Sequence, residues 1–199
     1  MTRRTVAILI FPGVELLDFA GPFEVFSAAR QTWESRERLM DVFTVAEDMA
    51  PVTCNNPLTV LPTYTLANCP HADILVVPGG QGTRTAIDRV PLIDWIRARS
   101  AQAELTTSVC TGSFLLAQAG LLTGKAVTTH WASIPRMRTA FPALDVREEA
   151  RWVDAGDVIS SSGVSAGIDM ALHVLDRLYG SDVAAVTARG IEYDYWTPS

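Results

Sequence analysis

Cys110 is the residue of this sequence whose position best suits covalent chemistry. It stands in the run TTSVCTGS, residues 106–113. Residues 105–109 predict a short strand, and the pattern from 111 to 119 predicts a helix that begins directly afterwards. A strand that ends at a small-residue turn and leads into a helix presents the turn residue above the sheet, where open α/β folds bind ligands. We therefore predict that Cys110 is a nucleophile.

The same position predicts the ionisation state of Cys110. The N-terminus of a helix favours an anion and lowers the pKa of a cysteine placed there. Thr111 and Gly112 fit an exposed turn better than a core. We expect a thiolate at neutral pH, and the alternative is a buried, inert cysteine, which is the commonest fate of a free thiol.

The other cysteines and two of the three histidines lack such a context. Cys54 and Cys69 lie in loop sequences with no helix start behind them, so we interpret both as structural. Three cysteines form neither a disulfide framework nor a zinc motif. His71 and His173 have no metal-ligand spacing with His130. We predict no metal and no cofactor.

The elements that must position Cys110 follow from hydrophobic patterning. Continuous apolar runs at 6–11 and 73–80, each ending near Pro-Gly, predict central strands that are covered on both faces. The other predicted strands are 41–46, 58–64, 105–109, 126–129 and a hairpin over 151–159; the other predicted helices are 23–29, 91–101, 133–141, 165–179 and 182–191. This alternation predicts one α/β domain over 1–199, with a mostly parallel sheet between two layers of helices.

Asp18 precedes the first predicted helix. Proline is tolerated in a first helical turn, so Gly21-Pro22 predicts the helix start and places Asp18 at a loop-to-helix junction. The ordinary use of an aspartate there is to complement the helix dipole.

Composition indicates a globular protein and argues against two classes of partner. The 199 residues are 48% hydrophobic and 19% charged, with a net charge of −6 and no basic cluster, so nucleic acid is not an expected partner. The opening Arg3-Arg4 and its apolar run resemble a signal peptide, but Pro12-Gly13 ends the run and no cleavage site follows. No stretch is long enough to span a bilayer. We expect a cytoplasmic protein without a membrane partner.

Four motifs, in their order along the chain, resemble the DJ-1/PfpI superfamily. They are FPG with LD (11–13 and 17–18), VPGG (77–80), VCTG (109–112) and THW (129–131). The similarity continues through AGLLTG (119–124), SGVSAGID (162–169) and EYD (192–194), so it covers nearly the whole chain. Within the superfamily, the isonitrile hydratase group is the most similar.

The resemblance implies a fold and a site. The fold would be a flavodoxin-like, class I glutamine amidotransferase-like, three-layer sandwich, usually dimeric, with a cysteine on a nucleophile elbow beside a carboxylate. Asp18 occupies the carboxylate position, and its protonated acid would be hydrogen-bonded to the thiolate of Cys110. The peptidase-like branch carries histidine directly after the cysteine. Thr111 stands there instead, which argues against proteolysis.

Three further residues are candidates for substrate contact. Thr111 could bond the reacting group through its hydroxyl and offer its N–H to a developing negative charge, with the Gly80 N–H as second donor. A plain helix-start threonine is the alternative. His130, on the strand predicted after the nucleophile helix, could approach the cleft, although a lone histidine is more often structural.

The function that the resemblance implies is hydration of an isonitrile, a small-molecule substrate, by a homodimer. The thiolate of Cys110 would attack the terminal carbon, Asp18 would deliver a proton, and water would release an N-substituted formamide. Glyoxalase- or amidase-type chemistry and oxidation of Cys110 in a stress-response protein stay open. A ligand sensor is a further alternative, because amidase-like domains of AraC-type regulators resemble 129–131 and 165–168. Those carry a DNA-binding module after this domain, and we expect none in a chain ending at Ser199.

Overall fold

The computed structural model describes residues 3–195 as strands and helices in alternation. The strands are β1 (Arg4–Leu9), β2 (Met40–Ala46), β3 (Val52–Thr53), β4 (Thr59–Val60), β5 (Tyr64–Thr65), β6 (Ile74–Val77), β7 (Leu105–Val109), β8 (Ala126–Val127), β9 (Asp145–Val146), β10 (Trp152–Asp154) and β11 (Val158–Ser161). The helices are α1 (Leu16–Ala28), α2 (Thr83–Ala86), α3 (Val90–Ser100), α4 (Gly112–Gln118), α5 (Ile134–Ala140), α6 (Ala166–Tyr179) and α7 (Ser181–Gly190), with a 3₁₀ turn at Trp131–Ser133.

Seven of these strands form one sheet in the order β10-β11-β7-β6-β1-β2-β5. All its neighbours are parallel except the edge pair β10 and β11, which forms the predicted antiparallel hairpin. The two apolar runs predicted as central strands are β1 and β6, and every side chain of β6 is buried. Strands covered on both faces have no polar face to alternate with, which explains their continuous apolar sequence.

The helices cover both faces of the sheet. Helices α1, α6 and α7 pack against one another on one face, and α4 packs with α2 and α3 on the other. The predicted three-layer, flavodoxin-like sandwich with a mostly parallel sheet is therefore confirmed.

The predicted start of α1 is wrong. The helix begins at Leu16, so Asp18 lies in its first turn and Pro22 lies inside it. Pro22 is buried against α6, where a Cβ built on Gly167 would lie 3.6 Å from the Pro22 ring. Tertiary packing thus holds a proline that sequence rules would place at a helix end.

Two other predicted elements are shorter or divided. The strand expected over 58–64 is interrupted at Pro62, so that β4 pairs with β3 and β5 pairs with β2. The strand expected over 126–129 ends at Val127, and the helix expected over 133–141 is preceded by the 3₁₀ turn. His130 was predicted to lie on this strand. The prediction is wrong, because His130 lies beyond the end of β8.

The extent of the domain stays a prediction at both ends of the chain, because residues 1–2 and 196–199 lie outside the described part. Within residues 3–195, the helices are too short or too polar to cross a bilayer.

The order of the strands changes direction between β1 and β6, since β2 lies beside β1 on one side of the sheet and β7 lies beside β6 on the other. Ligands of open α/β sheets bind at the carboxyl ends of strands beside such a switch point.

Candidate active site

The carboxyl ends of β1, β6 and β7 bring the predicted residues together. Asp18 follows β1, Gly80 follows β6, and Cys110 and Thr111 follow β7. Because these three strands are parallel neighbours, the segments that follow them meet at one edge of the sheet. Cys110, Thr111, Gly80 and His130 line a cavity of about 250 Å³ at this edge.

The backbone of Cys110 is strained and firmly held. Its φ is +56°, a left-handed conformation that residues other than glycine seldom adopt. The Cys110 N–H donates to the carbonyls of Ser161 and Ser162 at 3.2 and 3.0 Å, and its carbonyl accepts the Thr129 hydroxyl at 2.8 Å. Strain of this kind persists where surrounding bonds fix it, and it is common at active sites. The geometry is that of a nucleophile elbow.

Asp18 is fully buried and has one hydrogen-bonded oxygen. Its Oδ2 accepts the Gly79 N–H at 2.9 Å, whereas Oδ1 has no hydrogen-bond partner within the described residues. Burial raises the pKa of Asp18 to about 7, against the hydrogen bond from Gly79, and the negative charge of Glu15 raises it further. A carboxyl with a pKa near 7 can accept or return a proton at neutral pH.

The expectation of a thiolate at Cys110 is wrong. Burial, followed by the negative charge of Asp18, raises the pKa of Cys110 to about 12. The N–H and hydroxyl of Thr111 act in the opposite direction, as a helix N-terminus should, but they are outweighed. The turn expected to be exposed leaves only 6% of Cys110 accessible, so desolvation dominates.

Cys110 and Asp18 together nevertheless hold the proton that must move when a thiol acts as a nucleophile. An acid beside a thiolate and a carboxylate beside a thiol carry the same number of protons and differ only in where one proton lies. The structure favours the thiol of Cys110 beside an Asp18 that is partly ionised near neutral pH. Asp18 can therefore act as the base that takes the thiol proton during attack.

Gly80 and Thr111 bond to each other. The Gly80 N–H donates to the Thr111 hydroxyl oxygen at 3.0 Å, so it is not a free donor. The Thr83 hydroxyl, which no motif of the sequence indicates, lies 3.1 Å from the same oxygen and 2.8 Å from the Gly80 carbonyl. A role for the Gly80 N–H in binding negative charge requires the Thr111 hydroxyl to turn away, and it stays a prediction.

Gly79 allows the close approach on which the pair depends. A Cβ at this position would lie 2.5 Å from the Thr111 nitrogen and 2.9 Å from the Asp18 Oδ2. No side chain fits there, and glycine supplies the needed space between backbone and carboxyl.

His130 forms part of the cavity wall and caps the 3₁₀ turn. Its Nδ1 accepts the Ala132 N–H at 3.2 Å, which assigns a neutral ring with its proton on Nε2. The ring lies against Gly163, where a Cβ would come within 2.2 Å of Cδ2. Contact with substrate stays a prediction for His130.

Eight of the twelve residues that line the cavity were missed by sequence reasoning, among them Glu15, Arg84, Arg136 and Val164. Val164 has φ +51°, which is rare for a β-branched residue, and it is the second strained residue at this cavity. The two arginines lie on α2 and α5, far apart in sequence and outside any motif. No sequence signal connects them.

The residues interpreted as structural do not line this cavity. Burial raises the pKa of both Cys54 and Cys69; the charge of Glu15 raises that of Cys54 further, whereas the charge of Arg99 acts in the opposite direction on Cys69. His71 lies 3.4 Å from Asp73, and His173 lies 2.9 Å from Asp154. Across residues 3–195, His, Cys, Asp and Glu side chains nowhere gather in threes to hold a metal.

Comparisons with known proteins agree on one family. A sequence model of the DJ-1/PfpI family matches residues 4–177. Isonitrile hydratase from Pseudomonas putida is 38% identical over 188 residues, covering 94% of this chain and 78% of that protein. A ThiJ/PfpI family protein from Pseudomonas syringae, solved by crystallography, has a TM-score of 0.87 and 32% identity, covering 100% of this chain and 78% of that one.

Regulators form a second group of relatives. The HTH-type transcriptional regulator GbdR of Pseudomonas aeruginosa is 28% identical over 191 residues. The match covers 96% of this chain and 51% of the regulator, so the chain spans about half of that protein's length.

Proposed function

The chain belongs to the DJ-1/PfpI family, and we propose that within it this protein is a cysteine-dependent enzyme that adds water to an isonitrile and gives an N-substituted formamide. The observation that carries the proposal is the pairing of the Cys110 thiol with the buried, hydrogen-bonded carboxyl of Asp18. Identity of 38% to an isonitrile hydratase supports the choice of substrate class. We also propose that the protein is a cytoplasmic homodimer and that its reaction needs no cofactor, as the resemblance and the composition suggest.

The first half of the reaction adds the thiol to the isonitrile. Ionised Asp18 takes the thiol proton as the Cys110 sulfur bonds to the terminal carbon, and the same proton then passes to that carbon. The product is a thioimidate, with sulfur and hydrogen both on the former isonitrile carbon. Asp18 is again ionised, and its pKa of about 7 suits both transfers.

The second half uses water. Asp18 accepts a proton from water as the oxygen bonds to the thioimidate carbon, and it passes that proton to the nitrogen. The hydroxyl proton of the tetrahedral intermediate then goes through Asp18 to the sulfur as the carbon–sulfur bond breaks. One water is consumed, the formamide leaves, and Cys110 returns as a thiol.

Thr111, Gly80 and His130 have supporting roles in this proposal. The N–H and hydroxyl of Thr111 favour negative charge on sulfur, which aids both attack and departure of Cys110. Gly80 would donate to the substrate only after its bond to Thr111 opens, and His130 would contact the substrate from the cavity wall.

A turnover assay tests the proposal. Purified protein is incubated with a panel of small alkyl and aryl isonitriles, and formamide is followed by mass spectrometry. We expect turnover by wild type and by the control Cys69→Ala, and none above background by Cys110→Ala or Asp18→Ala. Absence of turnover by wild type across the panel would contradict the proposal.

Ligand sensing is the second candidate, because relatives named as transcriptional regulators match 96% of this chain. The same cavity would then bind a small molecule without converting it. Saturable binding of isonitriles with no formamide would favour this function. Redox sensing receives less support, since a thiol with a pKa of about 12 is mostly protonated and slow to oxidise.

A further inference from the structure

Two arginines line the cavity of Cys110 without a carboxylate to pair with. Arg84 lies on α2 and Arg136 on α5, and both border the same cavity. Among residues 3–195, neither forms an ion pair, although Arg138, two positions along α5 from Arg136, pairs with Glu148 at 3.0 Å. The cavity thus holds two positive charges that no ion pair within residues 3–195 neutralises.

The guanidinium of Arg136 is held in place by packing. Its Cζ lies 4.0 Å from the centre of the Phe114 ring, a cation–π contact that fixes the plane of the group. Its Nε is buried and has no hydrogen-bond partner within the described residues. A buried donor left unpaired is costly unless a ligand satisfies it.

Arg84 and Arg136 also repel each other. Burial lowers the pKa of Arg136, and the charge of Arg84 lowers it further. The acidic side chain at the cavity, Glu15, accepts a hydrogen bond from Asn55 at 3.0 Å and pairs with neither arginine. Two like charges kept close, neither of them in an ion pair with a carboxylate of residues 3–195, indicate a place for an anionic ligand.

We propose that Arg84 and Arg136 bind a carboxylate on the substrate, so that the preferred substrate is a small isonitrile that also carries a carboxylate. The isonitrile part of this statement rests on the function proposed above. Guanidinium groups match carboxylates through paired hydrogen bonds, which fix orientation as well as add affinity. A cavity of about 250 Å³ limits the ligand to a small molecule whose reacting end reaches Cys110.

Alkylation of Cys110 tests the anion site without any isonitrile. Iodoacetate and iodoacetamide are similar in size, but only iodoacetate is anionic. Their rates at Cys110 are followed by peptide mass mapping, and the ratio is divided by the ratio for free N-acetylcysteine. We expect iodoacetate to be favoured about 10-fold in wild type, and less at high ionic strength.

Variants of the two arginines show which side chain causes the preference for iodoacetate. Arg84→Gln, at an exposed position, and Arg136→Gln should each reduce the normalised ratio several-fold, while Arg138→Gln should leave it unchanged. A wild-type ratio equal to that of the free thiol would overturn the proposal. Equal losses with both reagents in Arg136→Gln would also overturn it, because Arg136 would then act on the thiol and not on the ligand.

A matched substrate pair separates this inference from the proposed function. An isonitrile with a carboxylate is compared with its primary amide, and kcat/KM should favour the carboxylate about 10-fold in wild type. Equal turnover of both would overturn the carboxylate site and leave hydration standing. Turnover of neither would overturn hydration, and the alkylation ratio would then decide the anion site alone.

Discussion

Two fully buried aspartates, Asp18 and Asp169, lie in the first turns of neighbouring helices and have opposite surroundings. Asp169 Oδ2 accepts Arg151 Nε at 2.5 Å and the Tyr193 hydroxyl at 3.0 Å. Asp18 Oδ2 accepts the Gly79 N–H, and no cationic side chain among residues 3–195 forms an ion pair with Asp18.

The difference separates a carboxylate suited to holding the fold together from one suited to proton transfer. A buried charge that is paired with a cation and hydrogen-bonded can stay ionised and hold two elements together. A buried carboxyl without a cation exchanges its proton near neutral pH instead. The fold thus tolerates a destabilising group at Asp18, beside Cys110, where proton transfer is useful.

The largest expected effect concerns activity. Asp18→Asn removes the carboxyl that exchanges protons with Cys110 in the proposed reaction, so kcat should fall by about 10³-fold or more. Asp169→Asn should keep kcat within about 10-fold of wild type once the folded fraction is corrected for. Steady-state kinetics with formamide detection measures both, and equal losses in the two variants would remove the distinction.

The next effect concerns stability and has opposite signs at the two positions. Asp169→Asn replaces the buried carboxylate that Arg151 and Tyr193 bond to with a neutral amide, and it should lower the free energy of unfolding by about 3 kcal/mol. Asp18→Asn should raise it at pH 8 by about 2 kcal/mol. The full value of about three pKa units, roughly 4 kcal/mol, is not reached because a buried amide N–H lacks an acceptor. Urea unfolding measures both changes.

The stabilisation by Asp18→Asn should depend on pH in a defined direction. The pKa of Asp18 is about 7 in the fold and 3.8 as the reference value, so the folded state holds the proton more tightly. Wild type therefore loses stability as pH rises between these values. The gain of the variant is full above pH 7, passes through zero at about pH 5, and becomes a loss of about 2 kcal/mol below about pH 4, where only the cost of the unpaired amide N–H remains. A gain that does not change with pH would contradict the assigned pKa.

The smallest effect concerns Thr111. Thr111→Val removes a hydroxyl that favours negative charge on Cys110, and kcat should fall about 10-fold. Thr111→Ser, which keeps the hydroxyl, should stay within about 3-fold of wild type. Unchanged kcat in Thr111→Val would show that the hydroxyl only holds the Gly80 loop.

The sequence predicted the position of Cys110 better than the ionisation of its thiol. The strand, turn and helix around Cys110 have local signals, so its position could be predicted. Its pKa depends on burial by distant segments, and local reasoning gave the wrong sign. Asp18 was identified as a candidate through the family resemblance. The start of its helix was predicted wrongly because packing against α6 stabilises Pro22 inside the helix.

Residues that reach the cavity from elsewhere could not be predicted. Arg84 and Arg136 belong to separate helices and share no periodicity or motif, so only the folded chain brings them together. The left-handed conformation of Val164 likewise opposes its residue type.

The central claim is that Asp18 carries the proton that the Cys110 chemistry needs near neutral pH. Difference infrared titration of wild type against Asp18→Asn follows the protonated carboxyl of this residue directly. We predict that its band disappears with a midpoint near pH 7. A midpoint below about pH 5, within the ordinary range of aspartate, would contradict the account.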